Sequence, residues 1–484
     1  IHQRVPGVQY FLEHHNGFFY ILTNAANNGD DGKCLVGDYY LARCPVECFQ
    51  SSDWQDIILP GKDMSFQDMD IFNGHLVLFI TKNCFPMICS INLSLKGKFQ
   101  GHIDIGNLNP WFFPLPSFLC SIAPGSNHDF MSPVYRVVLS SPVIPDLIVD
   151  YDMSNQTFLV VSQEVVKDIP GDPGSCSPSY DLNFDESHAR KDGNKGDQGS
   201  ELRKWADYSP EYCCEKREVV SHDGVEVPVT ILYSRNAWKK GLSPGLLQGY
   251  GAYGEELDIS WCSERLSLLD RGWVLAFADV RGGGGGSDPS WHKSGSGLNK
   301  LNSIHDFLSC GKYLISEGYV CSDQLGAIGI SAGGLLVAAA INMDPELFRA
   351  AILKVPFLDI CNTLLDPSLP LTKLDYEEFG NPQNESHLES ILRYSPYDNI
   401  QSNGCHPSTL VTASFHDSRV GVWEAAKWVA KVRHLKCAVC SSSVVLKTNM
   451  NGGHFSEGGL YSHCEETAHE YAFLIKAMGL PHIE

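Results

Sequence analysis

The sequence predicts a two-part chain. A β-rich first third precedes a doubly wound α/β domain with a mostly parallel sheet. Three observations carry this. Short alternating apolar runs with polar turns fill the chain up to residue 161. Gly, Pro, Ser and charged residues then dominate 168–205. From about residue 215 onward, strand-like and helix-like segments alternate to the end, the pattern of parallel strands covered by helices. With 484 residues, 43% of them hydrophobic, two separate cores are affordable.

The first element is a hairpin. Tyr10–Leu12 and Phe18–Leu22 flank Asn16-Gly17, a dipeptide suited to a tight turn. Further strands are expected at Tyr39–Ala42, Leu76–Thr81, Tyr135–Leu139, Leu147–Tyr151 and Phe158–Val161. No helical period separates them, so a sandwich, barrel or propeller is implied. Residues 168–205 read as a linker or insertion between this portion (1–167) and the α/β domain (206–484).

In the α/β part, Arg217–Ser221 and Val225–Tyr233 form a hairpin around Asp223-Gly224. Strands follow at Leu246–Gly249, Trp273–Val280, Leu325–Gly329, Ala351–Val355, Leu410–Ser414 and Val444–Thr448. Helices are expected at Ser260–Leu269, Ser303–Glu317, from Gly333, at Val422–His434 and at Ser462–Met478. Trp423 and Trp428 are expected on the buried face of their helix.

A net charge of −21 opposes nucleic-acid binding. No apolar run is long enough to span a membrane. The odd count of 17 cysteines, without a framework, suggests free thiols and a cytoplasmic setting. The start at Ile1 leaves an organellar address open. Asn92, Asn155 and Asn384 sit in glycosylation-type triplets that are read as chance. Cys437-Ala-Val-Cys440 has no second pair nearby and is read as buried thiols, so no metal or other cofactor is expected. Gly282–Gly286 lacks the G-K-[ST] of a phosphate loop.

The chemistry concentrates at Gly329-Ile330-Ser331-Ala332-Gly333, a G-x-S-x-G where a strand turns into a helix. Such a turn exposes the hydroxyl and aims helix N–H groups at it. Serine needs a base, and the base an orienting acid. In the α/β-hydrolase chain order, Asp417 follows the strand ending at Ser414 and His454 follows the strand ending at Thr448. His416 is a rival base but precedes the acid. The Ala332 amide is the expected first oxyanion donor, and the loop at 248–254 is placed to give a second.

These stretches resemble the prolyl oligopeptidase family of serine peptidases, nearest its oligopeptidase B and prolyl-endopeptidase-like branch. The carrying residues are G-Y-G-A-Y-G (249–254), F-A-D-V-R-G-G-G (277–284), G-I-S-A-G-G-L-L (329–336), L-D-P-S-L-P-L-T-K-L-D-Y-E-E-F-G-N-P (365–382), H-D-S-R-V (416–420) and G-G-H-F (452–455). The resemblance implies an α/β-hydrolase domain behind a β-propeller, here an incomplete one. It implies the triad Ser331, Asp417 and His454, with the Tyr250 hydroxyl completing the oxyanion hole beside Ala332. It implies Arg419 as the holder of a substrate carbonyl, and Asp375 and Glu377 as acids receiving an arginine or lysine side chain. The expected substrate is a short peptide and the expected state a monomer or small homo-oligomer.

Several positions depart from the family. Ile330 stands where Gly is usual, and Asp375 where oligopeptidase B has the longer Glu. Trp291-His-Lys-Ser-Gly295 lacks the acids that favour a second basic residue. An esterase or thioesterase, a prolyl-specific oligopeptidase and a non-enzymatic interaction protein remain alternatives.

Overall fold

The structure is a computed structural model. It describes residues 8–25, 39–47, 54, 56–60, 64–72, 74–82, 85–93, 101–116, 121–164, 174–176, 205–284, 290–437, 439–455 and 459–480. The chain divides into two compact units, Ile1–Tyr208 and Ser209–Glu484.

The first unit is built largely of antiparallel meanders, with one parallel pair, Asp56–Leu59 against Gly101–Asp104. Tyr10–His15 and Phe18–Thr23 pair across Asn16 (φ 48°) and Gly17 (φ 78°), the two positive angles that a twist-matched hairpin turn requires. They lead a five-stranded sheet completed by Tyr40–Pro45, Asp56–Leu59 and Gly101–Asp104. A four-stranded sheet follows from Met64–Phe72, His75–Lys82, Phe85–Asn92 and Trp111–Phe112. A third holds Ser121–Pro124, Val134–Ser141, Ile144–Asp152 and Thr157–Gln163. Alternate residues of these strands, such as Leu76, Leu78 and Ile80, are buried in the core between sheets. Most of 168–205 lies outside the described residues. Gly174–Cys176 pairs with Trp205–Asp207, and Trp205 is buried in this unit's core.

The second unit is an eight-stranded sheet. Its strands are β1 (Tyr212–Val220), β2 (Glu226–Ser234), β3 (Gly245–Gly249), β4 (Val274–Ala278), β5 (Leu325–Ile330), β6 (Ala350–Lys354), β7 (Ser408–Ser414) and β8 (Val444–Asn449). The order is β1-β2-β4-β3-β5-β6-β7-β8. The pairs β1–β2 and β2–β4 are antiparallel, and all others are parallel. The chain order reverses between β3 and β5, which opens a crevice at the carboxyl ends of the strands.

Helices α1 (Lys300–Ser316), α2 (Ala332–Met343), α3 (Thr372–Phe379), α4 (Val422–Leu435) and α5 (Gly459–Ala477) cover the sheet. In α2 every residue from Ala332 to Ile341 is buried, as its all-round apolar sequence requires. The expected helix at Ser260–Leu269 is only a 3₁₀ turn and one α turn. Trp428 is fully buried, but Trp423 is 49% exposed and does not share its face. Among the described residues no helix is long and apolar enough to cross a membrane.

Candidate active site

Ser331 occupies the turn from β5 into α2 with φ 56° and ψ −117°. A non-glycine residue stays in that region only where its surroundings force it. Its N–H donates to the Lys354 carbonyl at 2.8 Å, and its own carbonyl accepts from Phe357 N–H at 3.1 Å. The neighbouring Val355 is also held at positive φ (39°). Small residues let the elements close around the serine. A Cβ on Gly329 would lie 2.0 Å from the Gly333 carbonyl oxygen, one on Gly333 2.6 Å from the Gly249 carbonyl oxygen, and one on Gly334 2.4 Å from Pro356. Ile330 is 42% exposed, so the departure from Gly leaves the strand packing intact. Ala332 opens α2, so its N–H has no intrahelical acceptor and stays free for an oxyanion.

Asp417 and His454 follow β7 and β8 and meet directly. His454 Nδ1 lies 2.7 Å from Asp417 Oδ2, and both side chains are nearly sealed from solvent. Burial pushes the Asp417 carboxyl up, but the His454 bond and the amides of Val420 (2.9 Å) and Arg419 (2.8 Å) outweigh it. The carboxyl ends below its usual range and stays ionised. The two loops are zipped by backbone bonds from Phe415 N–H to the Asn449 carbonyl and from His416 N–H to the Gly452 carbonyl. The rival ring of His416 is exposed and stacks edge-on against Phe415. The Ser331 hydroxyl has no hydrogen-bond partner among the described residues. A substrate-free nucleophile commonly sits so before the complex tightens.

Tyr250 follows β3 and lies against the elbow, its ring 3.4 Å from where a Gly333 Cβ would be. Burial, with Glu255 and Glu378 adding, pushes its phenol up to about 12 against the opposing charge of Arg419. It therefore remains a hydrogen-bond donor at neutral pH. Arg419 is exposed and covers the Phe455 ring at 4.8 Å.

Asp375 and Glu377 are not brought together. They sit two apart on α3, where successive residues turn by about 100°. Asp375 is buried and accepts from the Tyr253 hydroxyl at 3.0 Å, whereas Glu377 is exposed. Burial raises the Asp375 carboxyl to about 6. The acid sharing its face is Glu378, three residues on. Glu378 is already occupied by Lys300 Nζ at 3.0 Å and His292 Nε2 at 2.6 Å.

Sequence reasoning missed this cluster. Lys300 is buried and also donates to the Gly251 carbonyl at 2.6 Å, tying the Tyr250 loop to α3. The available signal was a lysine on the apolar side of a predicted helix. Glu424 was missed likewise. It is fully buried and accepts from the amides of Leu358 and Asp359 and the Thr363 hydroxyl, fixing the loop after β6. The described glycines of Gly282–Gly286 serve packing. A Cβ on Gly282 would lie 2.4 Å from the Gly251 carbonyl oxygen.

Residues 260–481 match the prolyl oligopeptidase family. They belong to that family. Over 99% of its length the chain is 39% identical to dipeptidyl aminopeptidase BI of Pseudoxanthomonas mexicana. It is 28% identical over 99% of its length to a prolyl endopeptidase-like protein of Gallus gallus. The chain spans 57% and 58% of those two relatives. Oligopeptidase B from Trypanosoma brucei, solved with covalently bound antipain, superposes with a TM-score of 0.79 at 29% identity, over 99% of this chain and 60% of that one. The fold is thus a β-propeller portion followed in the chain by an α/β-hydrolase domain, and the chain is similar to oligopeptidase B and to prolyl endopeptidase-like proteins.

Proposed function

We propose that this chain is a serine peptidase that hydrolyses short peptides after arginine or lysine through an acyl-enzyme. The observation that carries the reading is the strained Ser331 turn, set at the same strand ends as the His454–Asp417 pair. In the proposed reaction His454 takes the Ser331 proton as the oxygen attacks the scissile carbonyl. Asp417 holds the imidazole and stabilises its cation. The Tyr250 hydroxyl and the Ala332 N–H receive the oxyanion. His454 returns the proton to the leaving amine, and water repeats the sequence on the ester. Arg419 holds a substrate carbonyl.

Asp375 is the acid we assign to the substrate cation, with Glu377 outside the pocket. No metal or organic cofactor is assigned a role. The chemistry of Asp375 disfavours a prolyl-specific pocket, which would be apolar. Thioester or ester cleavage is the second reading, since the same serine, base and oxyanion donors would act on an ester or thioester carbonyl.

The test is labelling by a fluorophosphonate probe followed by peptide mapping. Modification of Ser331, lost in Ser331→Ala and in His454→Ala, is the expected result. A folded chain that takes no label would instead favour the non-enzymatic interaction protein.

A further inference from the structure

At the amino ends of β7 and β8, on the edge of the sheet opposite the candidate active site, three cysteines converge. Cys405 precedes β7, while Cys437 and Cys440 form a C-x-x-C turn before β8. Their sulfurs all lie within 4.8 Å of one another. The structure joins Cys405 to Cys440 as a disulfide, with Cys437 beside it as a free thiol. This corrects the expectation that Cys437 and Cys440 are buried thiols with no further cysteine nearby: both are half-buried, and Cys405 joins them from another loop.

Backbone bonds preset the arrangement. Cys437 N–H donates to the Gly404 carbonyl at 3.1 Å, which docks the two loops. Cys440 N–H donates to the Cys437 carbonyl at 3.4 Å, which closes the turn. Lys436 Nζ caps the same loop on the Ser442 carbonyl at 2.8 Å.

We propose that, once reduced, Cys405, Cys437 and Cys440 form a three-thiolate site for Zn²⁺. Two considerations point there. The C-x-x-C spacing lets both sulfurs reach one ion, and a third sulfur from a separate loop completes the three protein ligands of a zinc site that keeps water in its fourth position. Thiolates select soft and borderline ions over Mg²⁺ and Ca²⁺. The other group with ligand spacing among the described residues, His222, Asp223 and Asp306, carries no such case. Arg281 already pairs with both carboxylates, each at 2.6 Å.

The chemistry balances. A phosphine reductant takes the oxygen of one water, becomes its oxide, and leaves Cys405 and Cys440 as thiols. Zn²⁺ then displaces one proton from each of the three thiols, and water fills the fourth position.

The experiment is a Co²⁺ titration of the full chain, metal-stripped and held reduced by phosphine. It is read by the thiolate-to-cobalt charge-transfer band. The band should saturate at one Co²⁺ per chain and vanish when Zn²⁺ is added. Loss of outer partners alone costs metal sites about 10–100-fold in affinity, so Cys437→Ser should weaken binding by more than about 100-fold. Cys437 lies outside the disulfide, so the oxidised variant keeps the cross-link and its fold can be checked before reduction. Cys321→Ser, a thiol elsewhere, should leave the band unchanged. No band in the reduced chain, or a full band in folded Cys437→Ser, would overturn the proposal.

Discussion

Tyr253 and Asp375 meet inside the second unit, the phenol donating to Oδ1 at 3.0 Å. Burial holds that carboxyl at about 6, against an ordinary value of 3.8. The site therefore keeps an acid that is costly to ionise unless a cation arrives. Asp375→Asn should lower kcat/KM for an arginyl peptide by about 10–100-fold, the worth of a charged hydrogen bond. Cleavage of a matched substrate without a cation should change little. The ratio of the two substrates, measured with purified variant and parent, checks this.

The same shift fixes a pH dependence. The folded value lies above the unfolded one, so the folded chain binds more protons between about 3.8 and about 6. Its contribution to stability falls as pH rises through that window. Asp375→Asn should therefore raise Tm at pH 8 and much less at pH 4. The preference for arginyl over neutral substrates should decline as pH falls through 6. Taking the ratio cancels any titration that both substrates share.

Glu377 and Glu378 should behave oppositely. Exposed Glu377 should tolerate Gln with arginyl kcat/KM within about threefold, since exposed charges contribute little. Lys300→Met, by contrast, leaves buried Glu378 with only its His292 contact, a loss of up to about 3–5 kcal/mol. Lys300→Met/Glu378→Gln should recover part of that loss in urea unfolding.

Tyr250→Phe removes one proposed oxyanion donor without emptying the loop. Loss of such a donor typically lowers kcat by about 10²–10³. KM should hold, because the interaction belongs to the transition state. A rise in KM at constant kcat would instead assign Tyr250 to substrate binding.

Much of this was legible in the sequence because it follows local rules. Asn16-Gly17 fixes a hairpin, and G-I-S-A-G-G between an apolar strand and an apolar helix fixes the Ser331 turn. Asp417 and His454 were readable from order and strand placement, and they do meet. What was not legible depends on which way a helix faces. Asp375 and Glu377 look like a pair in one dimension, but α3 turns them apart and delivers Glu378 instead. Lys300, 78 residues from Glu378 in sequence, meets it only through the fold. The cysteine cluster was missed for the same reason, since Cys405 and Cys440 are 35 residues apart.

The most direct test of the peptidase proposal is kcat/KM on a matched arginyl peptide amide, prolyl peptide amide and medium-chain thioester, with Ser331→Ala as control. The expected result is an arginyl preference above about tenfold, or about 1.4 kcal/mol in the transition state, abolished by Ser331→Ala. Turnover of the thioester alone, or peptide cleavage that survives Ser331→Ala, would contradict it.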